Sequence, residues 1–495
     1  ITDALGHTVT NTYDSNGQQV STTDANGNTT WYTYTGNMKL ASVTYPNGGT
    51  ITYEYDGEDR LVKVTDQNGN SQSTAYDAGG RTISTQDYLK AETSYEYDAV
   101  GRVVKQVNPN GGVIQMAYDA NGNMISKTDP AGNTTTYEYD EKSQLVKEIS
   151  AVDGQTVYTY NDAGDRLTVT DALGNVTEYQ YDAFGNMISV KDPRGNTTVY
   201  TYNANNLLLS AEDALGNIII NEYDVSNRLV SFTDQNGHKT IYTYDAAGRE
   251  ISQIDPNGHT TTVSYDPNGN VLTTTDAKGK VQSTIVYNSS NQAVSTTDAA
   301  GNTTTSEYDL AGRLLSTADA LSNHQEFTYD RNGRLIESKN QMGSKSGTTY
   351  DLEGNVLTVS GPPGANVQYA YDDSGRLTAE TTPSSGTKTY GYNALNLCSE
   401  LINARGQETQ FTYDALGRIT GYTNAEGTAS YTYDENGNVL TATDANGTIT
   451  REYDELNRVV KYTDVNGNTI QYSYDAAGNL SKMTYPDNTS VTYSY

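Results

Sequence analysis

In the stretch YDANGNMISKTDPAGNTTTYEYD, residues 118–140, three aspartates, Asp119, Asp129 and Asp140, stand among asparagines, glycines and tyrosines. Oxygen-rich loops of this kind can bind calcium, and paired carboxylates can perform acid and base catalysis. Calcium fits poorly, because an EF-hand sets oxygen ligands at positions 1, 3 and 5 before a glycine at 6. DANGN from Asp24 reaches its glycine at position 4. Catalysis fits no better. Of the 4 histidines, His7, His238 and His259 follow a turn glycine where other segments carry Asn, and His324 lies at a similar place, so they read as exposed turn residues. Four scattered imidazoles build no recurring Ser-His-Asp site. Acid/base work also needs two carboxyls in different environments, whereas here dozens recur in the same one. The single Cys398 permits no internal disulfide and reads as an inert buried thiol. No catalytic, cofactor or metal ligand set emerges.

The elements around these residues follow from composition and period. Only 35% of the 495 residues are hydrophobic, and 42 tyrosines outnumber 4 Phe and the single Trp31, which excludes a thick aliphatic core. Gly, Thr, Asn and Asp favour short strands and tight turns over long helices. The net charge of −30 repels phosphate, which argues against nucleic acid and anionic membranes and for solubility. No segment approaches the roughly 18 apolar residues of a membrane helix. The first residues, ITDALGHTVTNTYD, and the last, Tyr495, both read as mid-repeat, so truncation at both ends is expected, and the lack of a signal peptide decides little.

From Tyr139 the same position recurs at Tyr118, Tyr160, Tyr181, Tyr202, Tyr223 and Tyr244, 21 residues apart, and the series runs from Tyr13 to Tyr495 as 24 anchors. One step of 22 ends at Tyr287, and two steps of 20 end at Tyr433 and Tyr453. Such a period marks a repeat architecture over residues 1–495, a single continuous array rather than separate domains. Each unit holds a turn after the anchor and a second turn, often Asp-x-x-Gly, about halfway to the next. The two segments between have strand length, and their boundaries say hairpin.

The turn positions are specific. The repeat signature comprises Tyr118, Asp119, Gly122, Asp129, Gly132, Tyr137, Tyr139 and Asp140, with its counterparts Tyr181, Asp182, Gly185, Asp192 and Gly195, then Tyr244, Asp245 and Gly248, then Tyr433, Asp434 and Gly437. Asn206, Asn227 and Asp59 occupy the slot of Gly122, which points to a left-handed backbone. The Asp after the anchor is sometimes Asn, as at Asn161 and Asn203, so it serves an Asx-turn rather than a carboxylate reaction. Length changes fall in the second half of the unit, where turns or bulges can absorb them without slipping register. Tyr137 and Tyr139 share one strand face, so successive units are expected to form aromatic stripes that pack ring against ring, in preference to platforms for sugar. Apolar pairs such as Met124 and Ile125 should give burial on both faces, and Arg81, Arg102, Arg249 and their like should pair with nearby acids. Twenty-four hairpins at about 4.8 Å per strand span roughly 230 Å, a width that must twist, curl or close. The expected fold is all-β: a continuous sheet of antiparallel β-hairpins wound into a hollow spiral, shell or tube.

YDANGNMISKTDPAGNTTTYEYD, YDAFGNMISVKDPRGNTTVYTYN and YDENGNVLTATDANGTITREYD resemble the YD-repeat, or Rhs-repeat, family of bacterial polymorphic toxins, wall-associated proteins, insecticidal toxin complex C components and teneurins. The resemblance covers essentially the whole chain. It implies a spiralling hairpin strip forming a hollow, non-enzymatic shell, which in toxin members encloses a C-terminal effector. A DPxGL-type segment with aspartyl autoproteolysis releases that effector, and DPAGN, DPRGN and DPNGH here share only DPxG within ordinary repeats, so no protease role passes to Asp129, Asp192 or Asp255. The implied protein is a secreted or cell-surface bacterial scaffold. Its partners are adjacent repeats of the parent chain and a toxin cargo lying outside these residues. An extracellular fibre or adhesin, self-assembled from an open-ended tube and able to bind carbohydrate, is the alternative.

Overall fold

The computed structural model describes residues 1–152, 154–362 and 365–495. Its strands form one antiparallel 47-stranded sheet, in which each strand hydrogen-bonds to its neighbours in sequence, as Thr134–Tyr139 does to Met124–Thr128 and Leu145–Ile149. Strands entering an anchor typically hold 6 residues, and those leaving it 5. β-branched Thr, Val and Ile together with Tyr fill them, residues suited to a pleated, half-buried surface.

At anchor after anchor among the described residues, from Tyr13 to Tyr474, the ladder carries a bulge. Glu138 faces Lys147 and Tyr139 faces Leu145, leaving Val146 as the extra residue. The apolar pair after the turn straddles this bulge, and Leu145 and Val146 are both half-buried. Of the pair Met124 and Ile125 only Met124 is, Ile125 being 39% exposed, so burial on both faces is not general. In the longest unit, Thr274 faces Ser283 and Thr275 faces Val281, so Gln282 is bulged out and the added residue never shifts the register. The two shortest units solve the opposite problem with two-residue loops, in which Asn424 faces Gly427 and Asp444 faces Gly447.

Burial is thin, as the composition requires. Among the described residues the buried hydrophobics are Val43 and Ala91, at 7% and 6% exposure. Alternation is nevertheless clear: in Val176–Tyr181 the exposed and half-buried residues alternate throughout, with both tyrosines half-buried. The opposite face carries cross-strand polar pairs. Lys63 Nζ donates to Glu54 at 2.7 Å, Lys147 to Glu138 at 3.3 Å, and in other units two hydroxyls meet, as Thr201 and Ser210 do at 2.6 Å.

The tyrosine stripes are not built by ring stacking. Incoming strands are separated by an outgoing strand, about 9–10 Å from one to the next, which is too far for ring contact. Among the described residues the aromatic pair in reach is Phe411 with Tyr422, 6.5 Å between centroids.

The chain forms two compact units, each made of two separate stretches: Ile1–Gln115 with Tyr242–Ser385, and Met116–Ile241 with Gly386–Tyr495.

Candidate functional site

The turn after the anchor is a closed hydrogen-bonded device. Gly122 N–H donates to Asp119 O at 3.2 Å and Asp119 N–H to Asn123 O at 2.9 Å, a type I turn followed by a left-handed bulge residue. Gly122 has φ 95°, Gly185 83°, Gly248 87° and Gly437 90°, while Asn206 and Asp59 hold 60°. Met38 and Ser143 occupy the same slot at 62° and 61°, so the hairpin imposes this backbone even on side chains that resist it.

The turn carboxylate is consumed by its own loop. Asp119 Oδ1 accepts from the N–H groups of Asn121 and Asn123, both at 2.9 Å, and Oδ2 accepts from Asn123 Nδ2 at 2.9 Å. The Asn123 amide, then burial acting against it, then the backbone N–H groups leave Asp119 below its usual carboxylate range. Asp182 is lowered in the same way, first by Asn186. At Asp245 burial pushes upward, and the Arg249 N–H and guanidinium outweigh it. Asp140 Oδ1 accepts from Lys142 and Gln144 N–H, and Asp434 Oδ1 from Asn436 and Asn438 N–H.

Adjacent units are stitched twice. The Tyr139 hydroxyl donates to Met124 O at 3.0 Å, Tyr160 to Leu145 O at 2.8 Å, Tyr181 to Arg166 O at 3.1 Å and Tyr202 to Met187 O at 3.0 Å. Each reaches back to the first residue of the preceding outgoing strand. Burial, then the nearby Asp119, raises the Tyr139 phenol above its ordinary value. Where Arg follows the turn, it reaches forward. Arg249 Nε donates to its own turn's Asp245 at 2.7 Å, Nη1 to the next turn's Asp266 O at 3.0 Å, and its guanidinium lies 4.8 Å from the Tyr265 ring centroid. The arginines therefore link units as well as pairing with acids.

The second turn has the same construction, with Gly132 at φ 85° and Gly195 at 90°, and it does something the sequence did not announce. Within each unit it meets an anchor turn far along the chain. In the first unit Asn26 Nδ2 donates to Asp266 Oδ2 at 2.8 Å and Asn268 Nδ2 returns to Asp24 Oδ2 at 2.7 Å. In the second, Asn396 donates to Asp129 at 2.9 Å, Asn436 to Asp192 at 2.6 Å, and Arg194 Nη1 to Asp454 O at 2.9 Å. These partners lie 244, 267, 244 and 260 residues apart for Asn268, Asn396, Asn436 and Arg194, so the two stretches of each unit lie edge to edge about a dozen repeats apart. Asp129, Asp192 and Asp434 thus belong to this seam. The third turn position supplies the donor at Asn26, Asn268, Asn436 and Arg194, and the left-handed fourth position supplies it at Asn396.

Closeness at the seam explains one glycine. Gly49 is buried, and a Cβ there would sit 2.9 Å from Leu310 O. Asn47 Nδ2 donates to that same carbonyl at 3.1 Å.

The remaining candidates are structural in their contacts. His7, His238 and His259 place Nδ1 3.0, 3.2 and 2.9 Å from the Asp that opens their own turn, the contact Asn123 makes in its loop. His324 Nε2 lies 3.8 Å from Glu326. Cys398 is half-buried, and burial pushes its thiol up. Trp31 is 55% exposed. Among the described residues no group of three or more His, Cys, Asp or Glu side chains could hold a metal, and no helix is long and apolar enough to cross a membrane.

Two family models divide the chain between them. The Rhs repeat model matches residues 13–48, 32–71, 76–113, 118–156, 160–197, 181–218 and 223–260, and the teneurin YD-shell model matches 252–402 and 394–495. The chain belongs to the YD-repeat (Rhs-repeat) family. Among solved structures, this YD-repeat chain is similar to TcdB2-TccC3 without its hypervariable C-terminal region, with TM-score 0.71 and 13% identity, over 98% of this chain and 36% of that one. It is also similar to the Photorhabdus luminescens Tc holotoxin pore carrying a TccC3 mutation, with TM-score 0.63 and 16% identity, over 96% of this chain and 29% of that one. The chain spans about a third of the length of these structures. No curated protein matches the sequence.

Proposed function

We propose that residues 1–495 are one continuous YD-repeat array of a secreted or surface-displayed bacterial protein, and that the array is a non-catalytic wall enclosing or carrying a C-terminal toxin effector outside this chain. The seam carries this reading. Within each unit second turns bond to anchor turns about a dozen repeats later, so the ribbon is joined laterally into a continuous wall, and its recurring carboxylates are already occupied by turn and seam donors. The similarity to TcdB2-TccC3 adds support at the level of fold.

The test is cargo protection. The chain, carrying an unfolded reporter peptide after Tyr495, is imaged by cryo-electron microscopy and exposed to protease. A hollow particle that shields the reporter supports the reading. An open tube that lengthens and leaves the reporter accessible favours the extracellular fibre or adhesin.

A further inference from the structure

Among the described residues, the Asn side chains that donate across the seam to an Asp carboxylate are followed by glycine at Asn26, Asn68, Asn236, Asn268, Asn332 and Asn436, and by leucine at Asn396. Asn-Gly is a reactive pair. Glycine has no Cβ to hinder its backbone nitrogen from attacking the carboxamide of the residue before it.

In the closed seam that reaction is held off from two sides. The nucleophile is engaged, because Gly27 N–H donates to Asp24 O at 3.0 Å and Gly269 N–H to Asp266 O at 3.0 Å. The leaving group is engaged as well, Asn26 Nδ2 donating to Asp266 Oδ2 at 2.8 Å and Asn268 Nδ2 to Asp24 Oδ2 at 2.7 Å. These bonds are reciprocal, so each amide fastens the turn that carries the other. The same sites are hostile to the product. Asp266 is 8% exposed, and Asn332 Oδ1 and Asn436 Oδ1 are buried with no hydrogen-bond partner among the described residues. A carboxylate formed there would carry charge with no donor to meet it, opposite a second carboxylate.

We propose that these seam Asn-Gly pairs are sites of self-modification that set the lifetime of the seam. When a turn unlocks by local opening, the Gly nitrogen attacks the Asn Cγ and a new C–N bond forms. The bond from Cγ to Nδ2 breaks, and Nδ2 leaves as ammonia with the proton that the Gly N–H gives up. Water then opens the five-membered imide at either carbonyl, leaving aspartate or isoaspartate and releasing one proton. Both products put a carboxylate where a donor faced Asp, so the seam does not reclose. Conversion of Asn268 also loosens the Asp24 turn, which carries Asn26, and one event speeds the next. None of this depends on what the wall encloses.

The full chain, kept in mildly alkaline buffer well below its melting temperature, is compared with a sample in urea. Peptide mapping by mass spectrometry follows the gain of one mass unit at each Asn, and hydrogen exchange follows the seam. In the folded chain Asn26 and Asn268 should convert more slowly than in urea, and converted molecules should exchange faster both around Asp24 and around Asp266. Asn268→Asp should open the same two turns from the start and speed conversion of Asn26 several-fold, while Asn436, in the other unit, keeps its parent rate. Where Asn436 speeds up too, the variant has unfolded as a whole, and Asn268→Ser carries the comparison: it removes the donor without adding charge and should still speed Asn26, by less. Three results overturn the proposal: no conversion at Asn26 or Asn268 once the urea sample is fully converted, conversion that leaves exchange across the seam unchanged, or an unaltered Asn26 rate in the folded variant.

Discussion

The Tyr139 hydroxyl donates to the Met124 carbonyl at 3.0 Å, tying one hairpin to the outgoing strand of the hairpin before it. The neighbouring ring, Tyr137, makes no such bond among the described residues. Sequence tracks the difference: the anchor is Tyr in all 24 units, while the position two before it also accepts Phe327, Phe411, Val263 and Met116. Tyr139→Phe should cost about 0.5–1.5 kcal/mol, the net worth of one hydrogen bond, and Tyr137→Phe close to nothing. Urea unfolding of the two variants checks this, and equal losses would remove the hydroxyl from the account.

The left-handed slot yields an opposed pair of changes. Gly122→Val should destabilise by about 1–3 kcal/mol, because a β-branched residue resists φ > 0. Nothing lies within 4 Å of the Cβ that would be added, so the penalty is conformational rather than steric crowding. Met38 already bears that strain at φ 62°. Met38→Gly should gain a net few tenths to about 1 kcal/mol, the relieved strain of about 1–2 being offset by the freer unfolded chain. Thermal melts of both variants decide the sign.

Much of this was legible in the residues. The spacing from Tyr118 to Tyr139 gives the hairpin unit, and exchange of Gly122 for Asn206 or Asp59 marks the backbone it needs, because turn chemistry is local. Ring stacking is not legible there, because a shared strand face says nothing of the strand in between. The seam escaped for a related reason. Asn268 and Asp24 are separated by some two hundred and forty residues, and their contact depends on accumulated twist and curl, which no local pattern encodes. Met38 and Lys90, at φ 62° and 70°, show the limit from the other side, where the repeat overrides the preference of its residue.

Acid should unfold the array. Asp119, Asp182 and Asp298 are lowered, first in each case by the Asn side chain that closes the turn, and Asp98 first by the Arg102 N–H. A depressed folded value means that stability is full above the unfolded value of 3.8 and is lost as pH falls through the folded values. Protonation also relieves the repulsion of a chain at −30, which works the other way. The turn bonds outnumber such diffuse gains, so the melting temperature should hold from pH 7 to 5 and fall steeply below pH 4. Circular dichroism across that range checks it, and a rise below pH 4 would mean that relieved repulsion dominates.

Chelation should leave the melting temperature unchanged within a degree or so. Both oxygens of Asp119 already accept N–H donors, and Asp24 accepts from Asn26, Asn28 and, across the seam, Asn268. A cation would have to break these bonds to coordinate. A large drop in excess EDTA, restored by calcium alone, would show that the carboxylates hold metal after all.

Gly49→Ala should open the seam without unfolding the hairpin. Its φ lies outside the left-handed region, so alanine carries no backbone penalty there. The added methyl instead would stand 2.9 Å from Leu310 O and 2.9 Å from Gln67 Cγ. The Gln67 side chain can turn aside, but the Leu310 carbonyl is backbone and can retreat only by parting the two edges, which lengthens the Asn47 bond to that carbonyl. Gly17→Ala, on an outer turn with no atom within 4 Å of its Cβ, serves as the contrast, since its cost arises only from φ 81°. Hydrogen exchange separates the two: Gly49→Ala should speed exchange both near Asn47 and near Leu310, in stretches remote in sequence, whereas Gly17→Ala should speed it only around its own turn. Confinement of both effects to the mutated turn would mean that the edges are held together elsewhere than at this seam.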